Sequence, residues 1–209
     1  MCAMEEILEV YKKPYNKGEP VVCMDESSKQ HIKEVRRVLP MEAGKAERYD
    51  SEYERNGTSN LFIFFEPLKG WRWIETTERR TAKDWAKQIK KLVDEDYAEA
   101  EKKHLVMDNL NTHAGASLYK TYKPAEARRL LNKLEFHYTP KHGSWLNMAE
   151  IEFSILSRQC IADRMEDRTY LTQQTGSWVK QRNEKKSDMQ WRFTTQDARI
   201  KLRHLYPSV

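Results

Sequence analysis

Apolar residues recur along this chain in two rhythms, short continuous runs and longer helical stripes. Val21-Val22-Cys23-Met24, closed by Asp25, reads as a short buried strand. Leu61 to Phe65 reads as a longer strand, and Trp71 to Glu75 follows the turn Pro67-Leu68-Lys69-Gly70, so these two predict a hairpin. Thr81-Ala82-Lys83-Asp84 has the form of a capping box, and Ala82, Trp85, Ile89, Leu92 and Val93 then recur at helical spacing, which predicts a helix from about 82 to 97. His104 to Asp108 is the next expected strand, Pro124 to Lys133 the next helix, and Leu134 to Tyr138 a strand ending before Pro140. Strand and helix alternate, which is an α/β pattern.

The last third reads as helical. Leu146, Ala149, Phe153, Leu156 and Cys160 form one apolar stripe, Thr169 to Arg182 predicts a second helix, and Thr195 to Leu205 a third. Residues 183–190 are polar and read as a loop. Residues 26–59, rich in Lys, Arg and Glu, carry no clear period; Asn56-Gly57 marks a turn within them. The expected division is a linker over 1–20, one α/β domain over 21–165, and a helical extension over 166–209 packed on it.

With 209 residues, 39% of them hydrophobic, the chain can bury one sizeable core. No run approaches the ~18 apolar residues of a membrane span, and the first residues lack a basic-then-apolar leader, so the expectation is a protein away from the membrane, in the cytoplasm. Cys2, Cys23 and Cys160 are too scattered for a disulfide framework or a zinc cage. The net charge of +5 allows a polyanionic partner, although 37 basic against 32 acidic residues is a mixed surface. The basic groups at Lys33 to Arg37, Arg79-Arg80, Lys83 to Lys91 and Lys180 to Lys186 read first as solvated helix faces.

The chemistry is carried by acids. Asp25 and Asp108 each close an apolar strand, where a carboxylate is costly to bury unless a cation meets it. If the two strands lie side by side, the aspartates meet. Either residue alone could simply cap a turn. A third acid comes from the segment Ser144-Trp145-Leu146-Asn147-Met148-Ala149-Glu150. Here Asn147 and Glu150 have capping-box form, and capping alone would account for Glu150. Glu152 is its rival: the two glutamates edge the Ala149-Phe153-Leu156 stripe on opposite sides, and periodicity does not choose between them.

The order of these elements, together with Val22-Cys23-Met24-Asp25-Glu26, Asp108-Asn109-Leu110-Asn111-Thr112-His113 and Ser144 to Glu150, resembles the ribonuclease-H-like catalytic core of DDE transposases. Within these it is most similar to bacterial insertion-sequence transposases of the mariner superfamily. Tyr53-Glu54-Arg55-Asn56-Gly57 and Trp191-Arg192-Phe193-Thr194-Thr195 are similar to that group as well, so the resemblance extends from about residue 14 onward. It implies a mixed sheet flanked by helices, and Asp25, Asp108 and Glu150 as ligands of Mg²⁺ or Mn²⁺, two ions in all. It also implies cleavage at the ends of a mobile element in double-stranded DNA, followed by strand transfer into target DNA. A homodimer and a place on the nucleoid follow from the same likeness. Asn109 and His113 fit the family's Asp-Asn-x-x-x-His arrangement and would contact phosphate or orient the loop, while Lys141 and His142 would face DNA.

Two departures qualify the likeness. Residues 109–149, between Asp108 and Glu150, form a longer gap than is usual in the superfamily, the surplus being expected in the helix near 125–133. The group's helix-turn-helix segment also has no counterpart ahead of Asp25, where Met4 to Tyr11 could be the remnant of a joining helix. A catalytically silent DNA-binding or dimer-forming remnant, and a stand-alone nuclease, are therefore the alternatives to an active transposase core.

Overall fold

The computed structural model describes residues 1–35, 41–45 and 52–206. Five strands form one sheet: β1 (Val21–Glu34), β2 (Tyr53–Glu66), β3 (Trp71–Thr77), β4 (Lys103–Met107) and β5 (Leu134–Tyr138), in the order β3-β2-β1-β4-β5. The first three pair antiparallel, whereas β4 and β5 run parallel to β1. Seven α-helices are present among the described residues: α1 (Cys2–Tyr11), α2 (Ala82–Lys91), α3 (Gly115–Thr121), α4 (Pro124–Asn132), α5 (Met148–Gln159), α6 (Arg168–Glu184) and α7 (Thr195–Lys201).

The strands are apolar on both faces because both faces are covered. Cys23, Ile63, Phe65 and Val106 face one core, completed by α1, α5, α6 and α7; Val22, Met24, Phe62, Phe64, Leu105 and Met107 face the other, under α2, α3 and α4. The period of two thus assigns each strand residue to a layer. Residues 1–20, expected as a linker, contribute α1, whose Ile7 and Leu8 are fully buried. Arg199 on α7 donates to Glu5, and the Thr195 hydroxyl to Glu9, so α1 and α7 are tied together.

Several expectations need correction. Within the stretch 26–59, residues 26–34 and 53–59 continue β1 and β2 as a two-stranded ribbon beyond the core, and Asn56-Gly57 makes no turn. Gln30 pairs with Thr58 and Ile32 with Arg55, so β2 carries one extra residue there, and Gly57 takes φ +89°. This is a β-bulge, which needs a residue tolerant of positive φ as a turn does. Arg36 and Arg37, in the Lys33 to Arg37 basic group, lie outside the described residues. The helix expected over 82–97 is α2 followed by one wide turn at Leu92–Asp96, closed by Tyr97 N–H to Leu92 O at 3.0 Å. The Thr81–Asp84 capping box forms. Helix α3 had no apolar period long enough to announce it.

Candidate metal centre

The β1–β4 register builds the site first. Val21 pairs with His104, Val22 with Leu105 and Cys23 with Val106; at the same offset Asp25 stands level with Asp108. Both follow the parity of Cys23 and Val106, the face covered by α5. The strands' apolar runs end here, so each aspartate sits half-buried at the rim of the core.

Helix α5 brings the third acid. Asn147, almost fully buried, accepts from Ala149 N–H at 3.1 Å and donates from Nδ2 to Met24 O at 2.9 Å, one residue before Asp25. A single side chain thus caps α5 and ties its start to β1. The Asn147 N–H goes to Ser144 O at 2.8 Å, so Glu150 is not the reciprocal partner of a capping box. Its carboxylate acts on Asp25 instead. Burial, the largest influence, and the charges of Glu150 and Asp108 push the Asp25 pKa up to about 7, against the Glu26 N–H that Asp25 accepts at 2.8 Å. Three acids share a region with a deficit of positive charge.

Glu152 has the opposite fate. It is fully buried on the far side of α5, with Arg72 Nε at 2.7 Å and Arg182 donating from Nε at 2.8 Å and Nη2 at 3.2 Å. Its charge is met by two guanidinium groups from β3 and α6, so it has no need of an ion.

His113 supports Asp108 from the other layer. It is buried against the Trp85 ring, centroids 5.9 Å apart, and donates to Asp108 Oδ1 at 2.5 Å and Glu26 Oε2 at 3.3 Å. Burial opposes the imidazolium, but the Asp108 and Glu26 carboxylates outweigh it and push the pKa up to about 9. Tyr138 fixes the same loop by donating to His113 O at 2.9 Å. Glu26 was missed as a participant; its place beside Asp25 was the signal, and period-two parity sends it to the face where His113 lies.

The remaining candidates are not drawn to the carboxylates. Asn109 is exposed on the loop after β4, and Lys141 and His142 are exposed on the loop after β5, His142 at φ +63°. That loop borders a groove with Met1, Trp145 and Leu205. Trp145 stacks on Trp191 with centroids 6.0 Å apart while remaining 43% exposed.

The sheet order and the helical layers define a ribonuclease-H-like domain, with Asp25 inside β1, Asp108 just past β4 and Glu150 in the first turn of α5. Residues 20–172 match the model of the DDE superfamily endonucleases, and the chain belongs to that family. Solved structures show the same fold. The Mos1 mariner transposase paired end complex with Mn aligns with TM-score 0.60 at 14% identity, over 89% of this chain and 55% of that one. The catalytic domain of Mos1 alone aligns with TM-score 0.58 at 13% identity, over 89% of both chains, and the Mos1 strand transfer complex with TM-score 0.57 at 14% identity over 89% and 58%. This chain therefore spans little more than half of the transposase in those complexes. No curated protein sequence matches it significantly.

Proposed function

We propose that the chain is the catalytic domain of a transposase that cleaves DNA phosphodiester bonds at element ends and joins them to target DNA with Asp25, Asp108 and Glu150 as its metal ligands. The observation that carries this reading is the parallel register that levels Asp25 with Asp108, with the α5 tie that brings the Glu150 charge to bear on Asp25. The donor set is all carboxylate oxygen, which suits Mg²⁺ or Mn²⁺, and the raised Asp25 pKa reflects a surplus of negative charge that a cation would offset. Bound as a pair, such ions would supply a low-pKa nucleophile and neutralise charge on the phosphoryl group.

The chain's own residues set the rest. Asp108 gives one oxygen to His113, which fixes its orientation. Asn147 holds the α5 start against β1 and thereby sets the reach of Glu150. In the first step water adds to phosphorus and the 3′ oxygen leaves as a hydroxyl; in the second that hydroxyl adds to a target phosphorus and a target 3′ oxygen leaves. Double-stranded DNA is the substrate, and pairing of two element ends makes a homodimer the working unit. The solved Mos1 complexes are with transposon ends or follow strand transfer, which supports this assignment. No helix among the described residues is long and apolar enough to cross a membrane, consistent with action at the nucleoid.

The domain offers mainly phosphate contacts, so we expect steep salt dependence and little preference among duplexes. The test is strand transfer of a pre-cleaved element end into plasmid DNA with Mg²⁺ or Mn²⁺. Joined product that disappears in Asp25→Asn supports the assignment. Metal-dependent nicking with no joining at any end sequence assigns a nuclease instead, and equal activity in wild type and Asp25→Asn removes the proposed centre.

A further inference from the structure

On the Asp108 face of the sheet, four residues earlier on β4, lies a second group of donor atoms that DNA cleavage does not use. His104 pairs with Glu135 in the β4–β5 register, and His137, two residues further on β5, shares their face. His104 Nδ1 is 3.1 Å from His137 Nε2, and Glu135 Oε1 is 3.7 Å from the first and 3.6 Å from the second. An ion held tetrahedrally at about 2.0–2.2 Å has ligand edges of roughly 3.3–3.6 Å. The triangle needs movements of only a few tenths of an ångström to match.

The surroundings suit the same use. His137 Nδ1 donates to Glu6 Oε1 at 2.7 Å, which leaves the Nε2 lone pair turned toward His104 and Glu135. A carboxylate behind a metal-bound imidazole is the usual arrangement. Both histidines are buried, whereas the Glu135 side chain is 47% exposed, so an ion can enter on that side. His104 has to change tautomer. Lys13 Nζ donates to its Nε2 at 3.1 Å, which puts the ring proton on Nδ1, facing His137. Ligation moves that proton to Nε2 and displaces the exposed Lys13 ammonium.

We propose that His104, Glu135 and His137 form a binding site for a zinc-class dication that clamps α1, through Glu6, to the end of the sheet opposite the carboxylates. Two imidazoles and one carboxylate favour zinc over magnesium, so this site and the catalytic one differ in their ion as well as their place. Asp108 is four positions beyond His104, roughly 13 Å at about 3.3 Å per residue.

The test is calorimetric titration and thermal melting of the full chain with ZnCl₂ in saturating Mg²⁺. We expect one equivalent bound, a melting rise that Mg²⁺ alone does not give, and tetrahedral visible bands when Co²⁺ replaces zinc. Glu6→Gln should weaken binding roughly 10–100-fold. Glu135→Gln, at a half-exposed position that leaves folding intact, should weaken it further without altering Mg²⁺-dependent DNA cleavage, and Lys13→Met should tighten it. Absence of a zinc-specific melting rise overturns the proposal. So does zinc binding that survives in Glu135→Gln and His137→Gln, or that is lost in Asp25→Asn instead.

Discussion

Glu150 and Glu152 leave the same helix two residues apart and enter opposite electrostatic regions. Glu150 lies close enough to Asp25 to push its pKa up, as Asp108 does, while the nearby cation, His113, bonds to Asp108 and Glu26 and offsets the charge on Asp25 only in part. Glu152 points to β3 and α6, where Arg72 and Arg182 meet it. A carboxylate crowded by like charge is the one we propose for a metal ion, whereas one enclosed by guanidinium groups is a structural joint. The difference lies in what the neighbouring elements carry.

The largest effect expected from breaking this contrast is on catalysis. Glu150→Gln should lower DNA cleavage by ~10⁴-fold, above 5 kcal/mol of barrier, while leaving the melting temperature nearly unchanged. Single-turnover cleavage of an end duplex, measured beside a melt of the same preparation, checks both halves. Retained cleavage in this variant would return the choice between the two glutamates to open question.

Glu152→Ala should do the reverse. It strands two arginines, one fully buried, and should cost about 3–5 kcal/mol of folding stability. Urea unfolding measures it; a loss under about 1 kcal/mol would place Glu152 with surface ion pairs, whose contribution is of that size.

Asp25 sharpens the contrast through pH. Its folded pKa is raised from 3.8 to about 7, so folding favours the protonated form, and the associated stability is fully present below pH 3.8 and lost as pH rises through about 7. Metal-free Asp25→Asn should therefore be more stable than wild type at pH 8 by a few kcal/mol, with the gap closing toward pH 4. Mg²⁺ should stabilise wild type at pH 8 more than the variant. Parallel stability curves for the two proteins between pH 4 and pH 8 would contradict a charge-crowded centre.

The smallest effect belongs to the joint that sets Glu150 in place. Asn147→Ala removes the α5 cap and strands Met24 O, at about 1–2 kcal/mol of stability. Cleavage should fall while Asn147→Asp, which keeps the cap, restores helix stability more than activity. Equal recovery of both would make Asn147 a cap and nothing more.

Local physics made much of this protein legible from sequence. The apolar runs that end at Asp25 and next to Asp108 could be read because a strand buried on both faces has to be apolar throughout, and a carboxylate at its end is then conspicuous. The Thr81–Asp84 box and the Pro124 start of α4 were legible because caps act within one turn. The β1–β2 ribbon was not, since beyond the core both its faces are largely solvated and alternation disappears. Nor did α3 announce itself, with only Ser117 and Leu118 buried in its single short span.

The resemblance to a family favoured Glu150, but only tertiary structure supplied the physical difference between the two glutamates and brought the histidines together. Glu150 and Glu152 are equivalent on a helical wheel; what separates them is Arg72 and Arg182, brought from distant positions by the packing of β3 and α6 on α5. His104 and His137 became neighbours through the β4–β5 register, and Glu6 joined them because α1 lies on that edge of the sheet. Sequence determines which residues carry charge and which segments bury themselves, because those depend on neighbours in the chain. Electrostatic surroundings sum over neighbours in space, so the fold decided which carboxylates are crowded by like charge and which are paired.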